Sequence, residues 1–117
     1  MFVQLKELAQ ELDLVEVVAP PDSTIEVSGG YVSDLLSDVM GRAAPNCIWV
    51  TGQSHPNVVA VAVLTDIAGI IIANGIMPDP DTIKKAKQQG VGLYSTTAAA
   101  YTVVGQLFRL GVGGCAS

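Results

Sequence analysis

The segment Ile67–Ala73 (IAGIIIA) constrains the fold more than any other part of the chain. It carries Ile70, Ile71 and Ile72 in an unbroken apolar run between Thr65-Asp66 and Asn74-Gly75. A strand with one wet face alternates apolar and polar residues. A run without alternation requires a sheet covered on both faces, and such sheets are mostly parallel. Ile70–Ile72 is therefore expected to be the central strand of a sandwiched parallel sheet.

The remaining punctuation fits that plan. Phe2, Leu5, Leu8 and Ala9 share a helical face in residues 1–10, and Val-rich residues 12–19 read as a first strand closed by Pro20-Pro21. Thr24–Gly30 reads as a short extended piece. Val32, Leu35, Leu36 and Val39 then predict a helix over 31–40 with Gly41 as its terminator. Cys47–Val50 is a second strand. Val58–Asp66 has the composition of a strand but the length and polar start of a helix, and a helix from Pro56 to Asp66 gives a regular strand–helix–strand unit. Asp79-Pro80-Asp81 opens a further helix that Gly90 closes, with Lys84, Lys85 and Lys87 on a solvated face toward its negative end. Residues 91–94 form a short strand. Ser95-Thr96-Thr97 leads into a last helix ending near Leu110, and the GVGGCAS tail over 111–117 is expected to fray. Repeated strand–helix crossovers give an α/β fold: a single three-layer domain over 1–117, core about 12–110, with a mostly parallel sheet of about four strands.

Composition narrows the function classes. The chain has 117 residues, half of them apolar and 15% charged, with a net charge of −5. Six basic residues offer no face for nucleic acid, and the acidic balance argues equally against an anionic membrane surface. The longest apolar stretch, 58–73, is too short to span a bilayer and is interrupted by Thr65-Asp66. An apolar excess with few charges predicts self-association, most simply as a twofold dimer. The N-terminus lacks the apolar core of a signal peptide. Cys47 and Cys115 show no metal-ligand spacing and read as free thiols in a reducing, cytoplasmic setting. Trp49 and Tyr31, with Tyr94 and Tyr101, are candidate core or interface anchors.

In open parallel sheets, ligands gather beyond the carboxyl ends of the strands. Those ends read Thr51-Gly52-Gln53-Ser54-His55, Asn74-Gly75 and Ser95-Thr96-Thr97, with Ser28-Gly29-Gly30 placed beside them. Hydroxyls, amides and free N–H groups at helix starts suit a small anionic metabolite or a nucleotide. The same residue types also serve ordinary loops and caps. His55, the one histidine, fits an anion contact, a base, or a cap. Phosphate-loop, dinucleotide, zinc-protease and C-x-x-C motifs are missing from the sequence, and no lysine or glutamate sits among the candidate loops. The expectation is no catalytic residue, no metal and no cofactor.

From Gly29 onward, the text SGGYVSDLLSDVM, CIWVTGQSHPNVVAVAVLTDIAGIIIANG and PDPDTIKKAKQQGVGLYSTTAAAYTVVGQL resembles the DRTGG domain family, over roughly residues 10–110. The family is similar in fold to the N-terminal domain of HPr kinase/phosphorylase, and its domains occur attached to phosphotransacetylase and CBS-domain proteins. The resemblance implies a regulatory, ligand-binding module that is not a catalyst, with a signalling or metabolic protein as partner. A protein-interaction scaffold without a ligand, and an enzyme of unassigned reaction, are the competing classes. The sequence departs from the name-giving motif: the Asp-Arg pair is set against Thr24-Ile25 and the threonine against Ser28, leaving only Gly29-Gly30 unchanged.

Overall fold

A computed structural model describes residues 3–115. In chain order they form β1 (Val3–Gln4), α1 (Leu5–Glu11), β2 (Val15–Val18), β3 (Glu26–Val27), β4 (Gly29–Val32), α2 (Leu36–Arg42), β5 (Cys47–Thr51), α3 (Asn57–Thr65), β6 (Gly69–Ile72), α4 (Pro80–Gln89), β7 (Leu93–Ser95) and α5 (Ala100–Arg109). The main sheet has five strands in the order β2-β7-β6-β5-β4. The β4, β5, β6 and β7 strands are mutually parallel, and β2 adds antiparallel to β7. The β1 and β3 strands pair separately as a two-stranded ribbon.

The isoleucine run occupies the middle strand, and all four residues of β6 are buried. Alternation divides them between two cores. Ile71, with Ile48, Val50 and Tyr94, packs against Leu5 and Leu8 of α1 and Val103 and Leu107 of α5. Ile70 and Ile72, with Trp49 and Leu93, pack against Val39 of α2, Val58 and Val59 of α3, and Ala86 of α4. Two apolar faces on one strand give the three layers, because each face must be covered by its own helices.

The ambiguous segment after Pro56 is a helix. The α3 helix ends where Asp66 takes the left-handed conformation, φ 55°. The α4 helix has Asp79 at its N-cap and Pro80 at its first position, and it stops on Gly90 at φ 69°, a conformation glycine adopts without cost.

Several expectations fail. Tyr31 and Val32 are strand, not helix, because β4 pairs in register with β5 from Gly29 opposite Cys47 to Val32 opposite Val50. The helix after it spans only Leu36–Arg42, and Gly41 lies inside it. Tyr101, read as a core or interface anchor, is 91% exposed and so does not anchor the core. The tail does not fray before Cys115. Val112 is buried, and the Gly30 N–H donates to the Gly113 carbonyl at 2.7 Å. The Cys115 N–H donates to the Gly30 carbonyl at 3.0 Å. Residues 116–117 of that tail lie outside the described residues. The cysteines are not free thiols either: Cys47 and Cys115 form a disulfide, their Cα atoms 6.2 Å apart. The tail runs beside β4, whose first residue faces Cys47, and this brings the two sulfurs together.

Candidate functional site

Parallel pairing sets Thr51 beside Ile72 and Ile72 beside Ser95, so the carboxyl ends of β5, β6 and β7 finish in one row. The residues that follow form a rim. The Asn74 N–H donates to the Ala98 carbonyl at 2.8 Å, and the Gly75 N–H to the Thr96 carbonyl at 2.9 Å, which ties the second and third loops together. The Ser54 carbonyl accepts from the Thr82 hydroxyl at 2.6 Å and from the Asp79 N–H at 3.1 Å, fixing the first loop to the start of α4. The structure thus brings Thr51, Gly52, Gln53, Ser54, Asn74, Gly75, Ser95 and Thr96 to one edge. Ser95 is buried within it and Thr97 is exposed beyond it.

Ser28, Gly29 and Gly30 do not join this edge. They sit at the opposite end of the sheet, where β4 begins beside the first residue of β5. The Ser28 hydroxyl donates to the Pro45 carbonyl at 2.8 Å. Gly29 has a packing reason for lacking a side chain: a Cβ there would overlap the Cβ of Cys115. His55 is exposed, and its Nδ1 accepts from the Asn57 N–H at 3.2 Å, so it caps α3.

Asp34 is the residue that the sequence reading missed. It lies two residues past the end of β4, after Ser33, and its Oδ1 accepts from the Thr51 hydroxyl at 2.8 Å and the Gly52 N–H at 2.7 Å. The Gln53 side-chain amide donates to the Asp34 main-chain carbonyl at 3.1 Å. The signal available was Ser33-Asp34 at the end of a Tyr-Val pair, which reads as a strand end only once Tyr31 and Val32 are placed in β4. Nearby, the Tyr31 hydroxyl donates to Asp38 Oδ2 at 2.7 Å. That bond raises the Tyr31 phenol above its ordinary pKa and lowers the Asp38 carboxyl.

Hydrogen bonding fixes what the rim presents. Asn74 Oδ1 accepts from the Ala100 N–H at 3.2 Å, which turns Nδ2 toward Gly52. A Cβ built on Gly52 would lie 3.4 Å from Asn74 Nδ2 and 3.6 Å from Asp34 Oδ2. A donor and an acceptor therefore flank a position with no side chain. Three helix-start and loop donors near the rim are engaged internally. Gly52 N–H bonds Asp34, Asn57 N–H bonds His55, and Ala100 N–H bonds Asn74. Among the described residues, no group of three or more His, Cys, Asp or Glu side chains is placed to hold a metal.

Two cavities lie away from the rim. One, about 330 Å³, is an apolar groove between the outer edge of β4, α5 and the tail, touching Val32, Val104, Leu107, Phe108 and Cys115. The other, about 380 Å³, is at the amino end of the sheet among Pro20, Asp22, Asn46 and Asp66.

A family profile described as "DRTGG domain" matches residues 31–110, well over half of the sequence. The chain belongs to the DRTGG domain family. The match begins at Tyr31, so the correspondence drawn between the name-giving motif and residues 24–30 falls outside it. The carboxyl-end loops at 51–55, 74–75 and 95–97 all fall within it. No curated protein matches the sequence. Among solved structures, the DRTGG chain is similar to the CBS and DRTGG domains of the regulatory region of Clostridium perfringens pyrophosphatase, a structure complexed with the activator diadenosine tetraphosphate. The TM-score is 0.71 at 15% identity, covering 88% of this chain and 46% of that one. At that identity the likeness establishes the fold. No described helix is long and apolar enough to cross a membrane.

Proposed function

We propose that this DRTGG domain is a non-catalytic regulatory module that binds a nucleotide or another small anionic metabolite at the carboxyl-end rim. The observation carrying this reading is the donor–acceptor pair across Gly52, formed by Asn74 Nδ2 and Asp34 Oδ2. Such a pair matches a nucleobase edge or a sugar hydroxyl, not a phosphate. The Asp34 carboxylate repels an anion at Gly52, so the charged part of the ligand lies away from it. The pyrophosphatase regulatory region, with the same fold and a dinucleotide activator, supports a nucleotide as the first class to test. The role needs no cofactor, metal, nucleic acid or membrane. The proposal places the domain in the cytoplasm as a homodimer, serving a signalling or metabolic protein. It includes a likeness in fold to the N-terminal domain of HPr kinase/phosphorylase.

A second reading, a protein-interaction module, is favoured by one observation. Tyr101, Val104 and Phe108 stand three and four residues apart on α5 and are 91%, 38% and 74% exposed. A thermal-shift screen with nucleotides, acyl phosphates and central metabolites, followed by calorimetry on wild type and Gly52→Trp, separates the two. A hit that loses affinity in Gly52→Trp supports the rim. Equal affinity in both proteins puts the site elsewhere. A screen without hits, together with a co-purifying protein partner, supports the interaction module instead.

A further inference from the structure

We propose that the Cys47–Cys115 disulfide is a thiol-exchange site whose reduction releases the C-terminal segment 111–115 as a strap from the edge of β4. The inference stands apart from the ligand-binding reading, since the disulfide lies at the other end of the sheet from Gly52.

The strap is held to β4 by few interactions. Two main-chain hydrogen bonds join it to Gly30, one from each side of that residue, and Gly30 and Gly114 make an isolated parallel bridge. Its first two residues are tied to α5 instead, the Gly111 and Val112 N–H groups donating to the Phe108 and Leu107 carbonyls at 3.0 Å each, and these bonds do not depend on β4. Val112 contributes one buried apolar side chain. Three of the five residues, Gly111, Gly113 and Gly114, are glycine, the residue type that loses most freedom on ordering. Gly111 is moreover at φ 95°. The two hydrogen bonds to Gly30 and one valine are weak compensation for fixing the segment against β4, so the covalent link decides whether it stays there.

The two cysteines differ in access. Cys47 is fully buried at the start of β5, whereas Cys115, also buried but 8% exposed, forms part of the wall of the apolar groove beside α5. A thiolate entering that groove meets the Cys115 sulfur, and the Cys47 sulfur is the leaving group. The reductant is a small dithiol. Its first sulfur bonds to Cys115 as the Cys47–Cys115 bond breaks, and its second then displaces Cys115. Two electrons and two protons pass to the protein, leaving two thiols and one oxidised dithiol. The Ile48 carbonyl, 3.7 Å from Cys47 Sγ, is an acceptor for the thiol that forms. Gly29 fits the same device: its bare Cα gives Cys115 the space to reach Cys47.

The consequence of release is local. The Gly30 N–H and C=O lose their partners at Gly113 and Cys115, and the outer edge of β4 is exposed next to Val32. The sheet interior is unaffected, because β4 keeps its full register with β5.

The test is amide hydrogen exchange by NMR on the full chain, oxidised and after dithiothreitol, with thiols counted by iodoacetamide labelling under denaturing conditions. Oxidised protein labels no cysteine and reduced protein labels two. Reduction raises the Gly30 exchange rate about tenfold or more while the Val50 and Ile71 amides keep their protection. Full-length Cys115→Ser reproduces the reduced pattern without reductant. The proposal is overturned by two free thiols in protein kept oxidised, or by equal Gly30 protection in both states. It is equally overturned if Cys115→Ser keeps the oxidised pattern, or if protection falls uniformly through β5 and β6, which would make the bond a staple for the whole domain.

Discussion

Replacing Asp34 by alanine tests whether a carboxylate organises the carboxyl-end rim. Asp34 Oδ1 accepts two hydrogen bonds, from the Thr51 hydroxyl at 2.8 Å and the Gly52 N–H at 2.7 Å. A hydrogen bond to a charged group contributes about 1.5–3 kcal/mol. The sum is reduced because Asp34 is exposed and Gly52 is within reach of water, which replaces part of what is lost. Thr51 is different. Its side chain is fully buried, so its donor is left without a partner. Together these give a destabilisation of about 2–3 kcal/mol. With a urea dependence of about 1.5 kcal/mol/M for a domain of this size, the midpoint of urea unfolding falls by about 1.5–2 M at unchanged slope. Asp34→Asn keeps an oxygen at the same place and loses only the charge, so its cost is about 1 kcal/mol. Circular dichroism along a urea gradient reads both. A loss below about 0.5 kcal/mol in Asp34→Ala, the range of neutral surface changes, refutes the reasoning. An asparagine variant as damaged as the alanine variant also refutes it.

Ile71→Ala removes a fully buried side chain from the central strand and should cost about 3–5 kcal/mol in the same urea assay, whereas a cost under about 1 kcal/mol would show that the two cores are loosely packed. Burial, with a smaller contribution from the Glu16 charge across the strand pair, pushes the Tyr94 phenol from 10.0 up to about 12. The fold thus holds the neutral phenol more strongly than the unfolded chain does, and that stabilisation, complete below pH 10, is lost as pH rises toward 12. Tyr94→Phe should flatten stability across that window, and an unchanged alkaline slope would count against it. Sedimentation at micromolar concentration should give twice the 12.1 kDa chain mass for wild type, falling toward one chain mass in the double variant Tyr101→Ser, Phe108→Ser. A wild-type protein that sediments as a monomer rejects the dimer.

The sheet was legible where one strand had to be dry on both faces. Ile70–Ile72 announced its position because no arrangement with a wet face tolerates that run. Asp79-Pro80 and Gly90 marked α4 through local chemistry alone. The β4 strand was not legible, since Val32, Leu35, Leu36 and Val39 fall at helical spacing, and only pairing with β5 decides that Tyr31 and Val32 extend. That one misreading hid Asp34, which becomes a strand-end residue only after β4 is drawn. It also carried Ser28–Gly30 to the wrong end of the sheet. Three of the four loop groups, around Thr51–His55, Asn74-Gly75 and Ser95–Thr97, followed from where strands stop. Which of their donors are already taken depends on side chains far apart in sequence, such as Asp34 with Gly52. The disulfide was out of reach for the same reason: its cysteines are 68 positions apart, and only the tail's course along β4 joins them.

The bond between Cys47 and Cys115 also gives the chain a closed covalent circuit. The β5, α3, β6, α4, β7 and α5 elements all lie on that circuit, while everything from β1 to α2 hangs from it as a branch. A protease that cuts once within the circuit, for example at the exposed Asn74–Met77 loop, opens the ring without separating any piece. The nicked molecule keeps its full mass plus one water until a reductant divides it. A cut in the branch, between β2 and β3, frees a fragment immediately unless packing retains it. The oxidised chain is thus tolerant of damage in one part of its sequence and vulnerable in the other, a division set by topology alone.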